Sequence, residues 1–122
     1  MRRSLLFFLA SLLAFQTFAQ TDANLGIIPV PVSIKKDNGT FQLDKTVVLV
    51  SNETANAKTA DLLNAFIVTK GGFALREAKT LTVGQKAIVL TSAGADKLPK
   101  EGYTITITAN QIKVVGTEVG LF

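Results

Sequence analysis

Read for the spacing of apolar and polar positions, the chain opens on an apolar run, then breaks into short strand-like segments around one stretch of helical period. Ile27-Ile28-Pro29-Val30-Pro31-Val32-Ser33-Ile34 is apolar and β-branched. Its two prolines fall two residues apart, so they blank the N–H groups of one side only, which predicts an edge strand. Lys35 to Thr40 reads as a turn, with Asn38-Gly39 supplying the positive φ that a tight hairpin needs. Phe41-Gln42-Leu43-Asp44 alternates like a short strand, and Thr46 to Val50 is a continuous β-branched run suited to a strand covered on both faces. Ser51 or Asn52 then stands where a helix cap belongs, with Glu53 in the first turn, where the helix dipole favours an acid. Ala57, Ala60, Leu63 and Phe66 or Ile67 recur at three and four, and Lys70 with Gly71-Gly72 marks the stop.

Strand patterns fill the remainder. Phe73 to Leu75 and Lys86 to Thr91 are expected as strands; Tyr103 to Thr108 alternates without a fault, with Tyr103, Ile105 and Ile107 on one face and three threonines on the other. Ala109-Asn110 turns the chain into Gln111 to Val115, which completes a hairpin. Ser92 to Gly102 is a polar loop, and no internal repeat or low-complexity tract interrupts the pattern. The expected order is βββ-α-ββββ with one crossover helix of about 17 residues. The fold class is α/β (α+β): a small mixed β-sheet with that helix packed on one face. Gly116 to Phe122 reads as the first residues of a second helix, and its Leu121-Phe122 is expected exposed, with nothing in the chain to pack on.

Composition changes this picture mainly at the front. Met1-Arg2-Arg3, the apolar run Leu5 to Phe15 and the small residues Thr17 and Ala19 form a signal-peptide pattern, with cleavage expected before Gln20. The run is too short for a membrane-spanning helix. The expected division is a signal peptide over 1–19, a polar leader over 20–26 and one α/β domain over 27–122, exported to the periplasm or the extracellular space. No membrane anchor is expected once the signal is removed. Without Arg2 and Arg3 the formal charge falls from +4 to +2, too little for a nucleic-acid partner.

There is no cysteine and no histidine. Disulfide staples, thiolate metal sites and cysteine nucleophiles are thereby excluded, together with the commonest general base. None of Asp22, Asp37, Asp44, Glu53, Asp61, Glu77, Asp96, Glu101 and Glu118 is adjacent to another or two residues from it, so the pattern offers no acid/base pair and no calcium loop. Ser33 lies near Lys35 without a Ser-x-x-Lys arrangement, and Lys70-Gly71-Gly72 is a helix stop rather than a phosphate loop. Asn38-Gly39-Thr40 and Asn52-Glu53-Thr54 match the glycosylation sequon, but their positions in a turn and a cap account for them. A sugar platform wants exposed rings, whereas Phe41, Phe66, Phe73 and Tyr103 are all expected on core-facing positions. No catalytic residue, cofactor-binding residue or metal ligand is assigned, and no cofactor is called for.

The order of segments goes further than their chemistry. Ile27-Ile28-Pro29-Val30-Pro31-Val32 after a signal peptide resembles the Ile-x-Pro-x-Pro opening of glycoside hydrolase family 20, the β-N-acetylhexosaminidases. Glu101-Gly102-Tyr103-Thr104-Ile105-Thr106-Ile107, then Ile112-Lys113-Val114, then Gly120-Leu121-Phe122, resembles the end of that family's N-terminal domain. Val119 stands where that family usually has Ala. The resemblance implies a non-catalytic α/β domain preceding a (β/α)8 barrel, its partner. In that barrel an Asp-Glu pair assists attack by the substrate's own 2-acetamido oxygen, releasing terminal N-acetylhexosamine from glycans. No Asp-Glu dipeptide occurs here, so the expectation is a glycosidase domain that is inactive alone, a fragment or truncated product whose glycan substrate is met through the parent enzyme. The alternative expectation is a stand-alone exported carbohydrate-binding or adhesion domain.

Overall fold

The computed structural model describes residues 26–27, 30–51, 53–117 and 120–121. The signal sequence, the leader up to residue 25, Ile28 and Pro29 of the expected edge strand, Asn52 of the second sequon, and Glu118, Val119 and Phe122 of the expected second-helix start lie outside the described residues. By its contacts the chain divides into two units, Met1–Asp37 and Asn38–Phe122.

In the first unit the described residues form no helix or strand, so the edge strand expected from Ile27 to Ile34 is not found over Val30 to Ile34. Pro31 gives no ladder donor, and Val30 and Val32 are exposed rather than half-buried as a sheet face requires. Lys35 Nζ lies 3.4 Å from Asp37 Oδ1 in a solvent-exposed ion pair.

The described residues of the second unit form a five-stranded mixed sheet with one α-helix. The strands are β1 (Val48–Ser51), β2 (Arg76–Ala78), β3 (Ala87–Thr91), β4 (Tyr103–Ile107) and β5 (Gln111–Gly116). They lie in the order β2-β1-β3-β5-β4, parallel except for the antiparallel β4–β5 hairpin. A 3-10 turn over Thr54–Asn56 leads into helix α1 (Ala57–Gly71), which crosses from β1 to β2.

The run Thr46 to Val50 behaves as its β-branched composition requires. Val47 and Leu49 enter one cluster with Ala60 and Ile67 of α1, Leu75, Ile88 and Leu90, while Val48 and Val50 join Ala87 in a second. A strand with parallel neighbours on both sides is buried on both faces, and β1 is buried along its whole length.

Several expectations need correction. Phe41 to Asp44 is not a strand; Phe41 nevertheless packs on the first cluster, and Asp44 accepts from Thr46 N–H at 2.8 Å, which closes a local turn. Among the described residues one strand therefore precedes the helix, not three. Neither Ser51 nor any other described residue caps α1 by a side-chain bond: Ser51 belongs to β1, and Asn56, the residue before the helix, turns its amide back to Glu53. The strand expected at Phe73 to Leu75 begins instead at Arg76, because Leu75 is occupied elsewhere. Asn64 of α1 accepts from Leu75 N–H at 2.8 Å and donates to Leu75 O at 3.1 Å, so a side-chain amide fills the place of a neighbouring strand.

The helix stop is where the sequence puts it. Gly72 has φ 74°, and its N–H reaches Val68 O at 3.0 Å. A Cβ there would meet no atom within 4 Å, so the objection to a side chain is purely conformational. Gly72→Ala is expected to lower stability by about 1 kcal/mol through the left-handed φ. It should appear in urea titrations as a lower midpoint at unchanged slope.

Candidate functional site

In an open α/β sheet ligands collect where connections from neighbouring parallel strands diverge, beyond their carboxyl ends. Here that place lies between β1, whose chain leaves over α1 to β2, and β3, whose chain leaves towards β4 at the far edge. It is filled from within. Glu53, two residues past β1, takes Asn56 Nδ2 on Oε2 at 2.6 Å and Ser92 N–H on the same oxygen at 2.8 Å. The Ser92 hydroxyl also donates to Oε2, and Thr91 Oγ1 donates to Oε1 at 3.0 Å. Asn56 is 1% exposed, so its amide depends on this bond. Burial pushes the Glu53 carboxyl up; the bonds from Ser92, Thr91 and Asn56 outweigh it and hold the group below the usual value. The carboxylate ties the segment after β1 to the segment after β3 across this crevice.

The other described ionisable groups lie apart from this crevice. Among the described residues no group of three or more carboxylates, the only metal-ligating type this chain has, could hold a metal ion. The Asp44 carboxyl is held low by hydrogen bonds from the Thr46 hydroxyl and amide, against slight desolvation and with help from Lys86. Glu77 lies 3.5 Å from the Asn64 amide at the end of the clamp on Leu75. Lys35 beside Ser33 is already paired with Asp37, and Asn38 of the first sequon is exposed.

What stands out is apolar surface. Helix α1 turns Ala60, Leu63 and Ile67 to the sheet, as its spacing predicts, but Phe66 is not the core residue expected of it: it is 60% exposed. Leu62, one turn away on the same outward side, is 67% exposed. Sequence spacing already separates Leu62 and Phe66 from Ala60 and Ile67, so this outward pair was detectable from period alone.

A second patch follows from where α1 ends its cover. The ladder aligns Leu49, Ile88, Ile112 and Ile107 in one row across β1, β3, β5 and β4. Leu49 is fully buried and Ile88 nearly so, Ile112 is half-buried, and Ile107 is exposed. Ile105 sits beside Val114 in the next row and Tyr103 beside Gly116, both exposed, so the face expected to be core on β4 is a surface stripe. The helix lies over the β1 side of the sheet, and β4 is beyond its reach.

At the end of the chain the exposure expected of Leu121 is not found. Gly120 and Leu121 both donate to Thr117 O, at 3.0 and 3.1 Å, and Leu121 O accepts from Thr59 Oγ1 of α1 at 3.0 Å. Leu121 is buried, against the exposed end anticipated, because its side chain lies over Gly116, where a Cβ would stand 2.8 Å from it. A Cβ on Gly120 would come within 2.5 Å of Gly102 O, so the last turn and the Glu101-Gly102 approach to β4 need a bare backbone where they meet. No helix among the described residues is long and apolar enough to cross a membrane.

Comparison with known proteins accords with this geometry. Residues 24–122 match a family model described as glycosyl hydrolase family 20, domain 2. No curated protein matches the chain.

Proposed function

The chain belongs to glycosyl hydrolase family 20 as that family's domain 2, and on that footing we propose that it is the supporting domain of an exported β-N-acetylhexosaminidase, without catalytic residues of its own. The parent enzyme would remove terminal N-acetylhexosamine residues from glycans in a following (β/α)8 barrel. The outward face of α1 is the surface that barrel covers.

The observation that carries this reading is the apolar pair on α1. A helix that has already buried Ala60 and Ile67 against its sheet has no internal use for Leu62 and Phe66 on the other side. A helix apolar on both sides belongs between two bodies. The signal-peptide pattern of residues 1–19 supports export. Chemistry is left to the barrel because the described carboxylates are dispersed and the best-bonded one, Glu53, is saturated by its own neighbours.

The direct test is incubation of the purified chain with a chromogenic N-acetyl-β-glucosaminide. No product above blank is expected, and turnover would sink the reading. A second reading, a stand-alone glycan-binding domain, draws support from the exposed rings of Phe66 on α1 and Tyr103 on β4. Calorimetric titration with chitooligosaccharides separates the two: the supporting domain gives no saturable heat, the binding domain does.

A further inference from the structure

The open edge of β4 is built for another strand. As the last strand in the order, β4 has β5 as its hydrogen-bonded neighbour on one side and, among the described residues, no strand on the other. The hairpin bond from Thr108 N–H to Gln111 O, at 2.8 Å, makes residues 108 and 111 a hydrogen-bonded pair. Antiparallel ladders alternate, so Thr106 opposite Lys113 and Thr104 opposite Val115 also bond inward. The N–H and C=O groups of Tyr103, Ile105 and Ile107 therefore point out from the open edge, and these are the residues whose side chains form the exposed stripe.

Natural sheets protect such an edge by charge, proline, a bulge or brevity. The opposite edge is protected in this way: β2 is three residues long and reads Arg76-Glu77-Ala78. The β4 edge is not. From Gly102 to Ile112 there is no Asp, Glu, Lys, Arg or Pro, and the strand Tyr-Thr-Ile-Thr-Ile keeps an unbroken alternation into Thr108.

We propose that β4 is a self-association edge, on which a second copy of this chain adds its own β4 antiparallel about a two-fold axis at Ile105. The pattern is its own complement in this register. Ile105 meets Ile105 of the second copy, Tyr103 meets Ile107, and Thr104 meets Thr106, so apolar residues oppose apolar ones on one face and hydroxyls oppose hydroxyls on the other. The outward N–H and C=O groups of each copy find partners in the other. With the axis perpendicular to the sheet, both α1 helices lie on the same face and the two exposed stripes join. Since no ionisable side chain other than the Tyr103 phenol lies on the segment, no like-charge pair opposes the approach. The surface is distinct from the Leu62/Phe66 face of α1, and the proposal does not rest on the parent enzyme.

Sedimentation velocity of the full chain at rising concentration tests it, together with Ile105→Pro and Ile105→Lys. Proline removes an N–H that faces the open edge, so it leaves the β4–β5 ladder bonds in place while denying the second copy its central donor. Lysine places two like charges at the axis. The chain is expected to move from one to two copies with concentration, and each variant to remain a monomer with an unchanged far-ultraviolet spectrum. Amide exchange on the unmodified chain gives a reading independent of any variant's folding: Tyr103, Ile105 and Ile107 should gain protection with concentration while Thr104 and Thr106 do not change. A chain that stays monomeric up to about 1 mM would overturn the proposal. So would a dimer that survives both substitutions, or one whose formation leaves those alternate amides unprotected.

Discussion

Leu49→Ala is expected to lower the unfolding free energy by about 3 kcal/mol, the range for deleting a buried leucine side chain with incomplete collapse around the gap. The same change at Leu62 should cost less than about 0.5 kcal/mol in the isolated chain. Leu49 is fully buried in the cluster that joins β1, β3 and α1 through Ala60, Ile67, Ile88 and Leu90, so its removal opens a void within that cluster. Leu62 faces water on the far side of the same helix. A domain of this size holds roughly 5–10 kcal/mol in all, so the first change consumes a large share of it and the second almost none. Urea unfolding followed by circular dichroism reads both. Equal losses at the two leucines would mean that α1 packs by a different face, and the docking surface assigned to Leu62 and Phe66 would go with it.

That contrast also shows what the sequence made legible. The helix, its glycine stop, the doubly buried strand and the Tyr103 to Val115 hairpin were readable because each rests on a local rule: period, a left-handed cap, a β-branched run, a two-residue turn. Failure came where partners far along the chain decide. Leu75 reads as a strand residue, but Asn64, eleven residues earlier, takes both of its backbone groups. Tyr103, Ile105 and Ile107 alternate as a core strand does; alternation reports that a strand has an apolar face, not whether anything covers it. Their exposure follows from strand order, which places β4 at the edge beyond α1. Gly120 carried a signal in the family motif whose cause, contact with Gly102 O, is visible only in three dimensions. Glu53 has the sequence position of an acid favoured by the helix dipole, yet besides Asn56 its partners are Thr91 and Ser92, almost forty residues away.

Glu53 yields the second large effect, and it depends on pH. Glu53→Ala leaves the Ser92 amide, the Thr91 hydroxyl and the buried Asn56 amide without their acceptor, and a loss of about 2 kcal/mol at neutral pH is expected. Glu53→Gln should cost less, since the amide oxygen can keep the place of Oε2 while the new NH2 faces Thr91 Oγ1, a hydroxyl able to turn and accept. The carboxyl is held below its ordinary 4.5 in the folded chain, so the unfolded chain binds the proton more readily. The stabilisation is therefore complete above the unfolded value and drains away as pH falls through the folded one. The unmodified chain should lose stability from about pH 5 downwards, and Glu53→Gln should lose less over the same interval. Asp44, also held low, supplies part of the slope that persists in the variant. The check is a series of urea titrations from neutral to acid pH on the three chains. A Glu53→Gln curve parallel to the unmodified one throughout would show that burial cancels the hydrogen bonds, and that the crevice between β1 and β3 is closed by something other than this carboxylate.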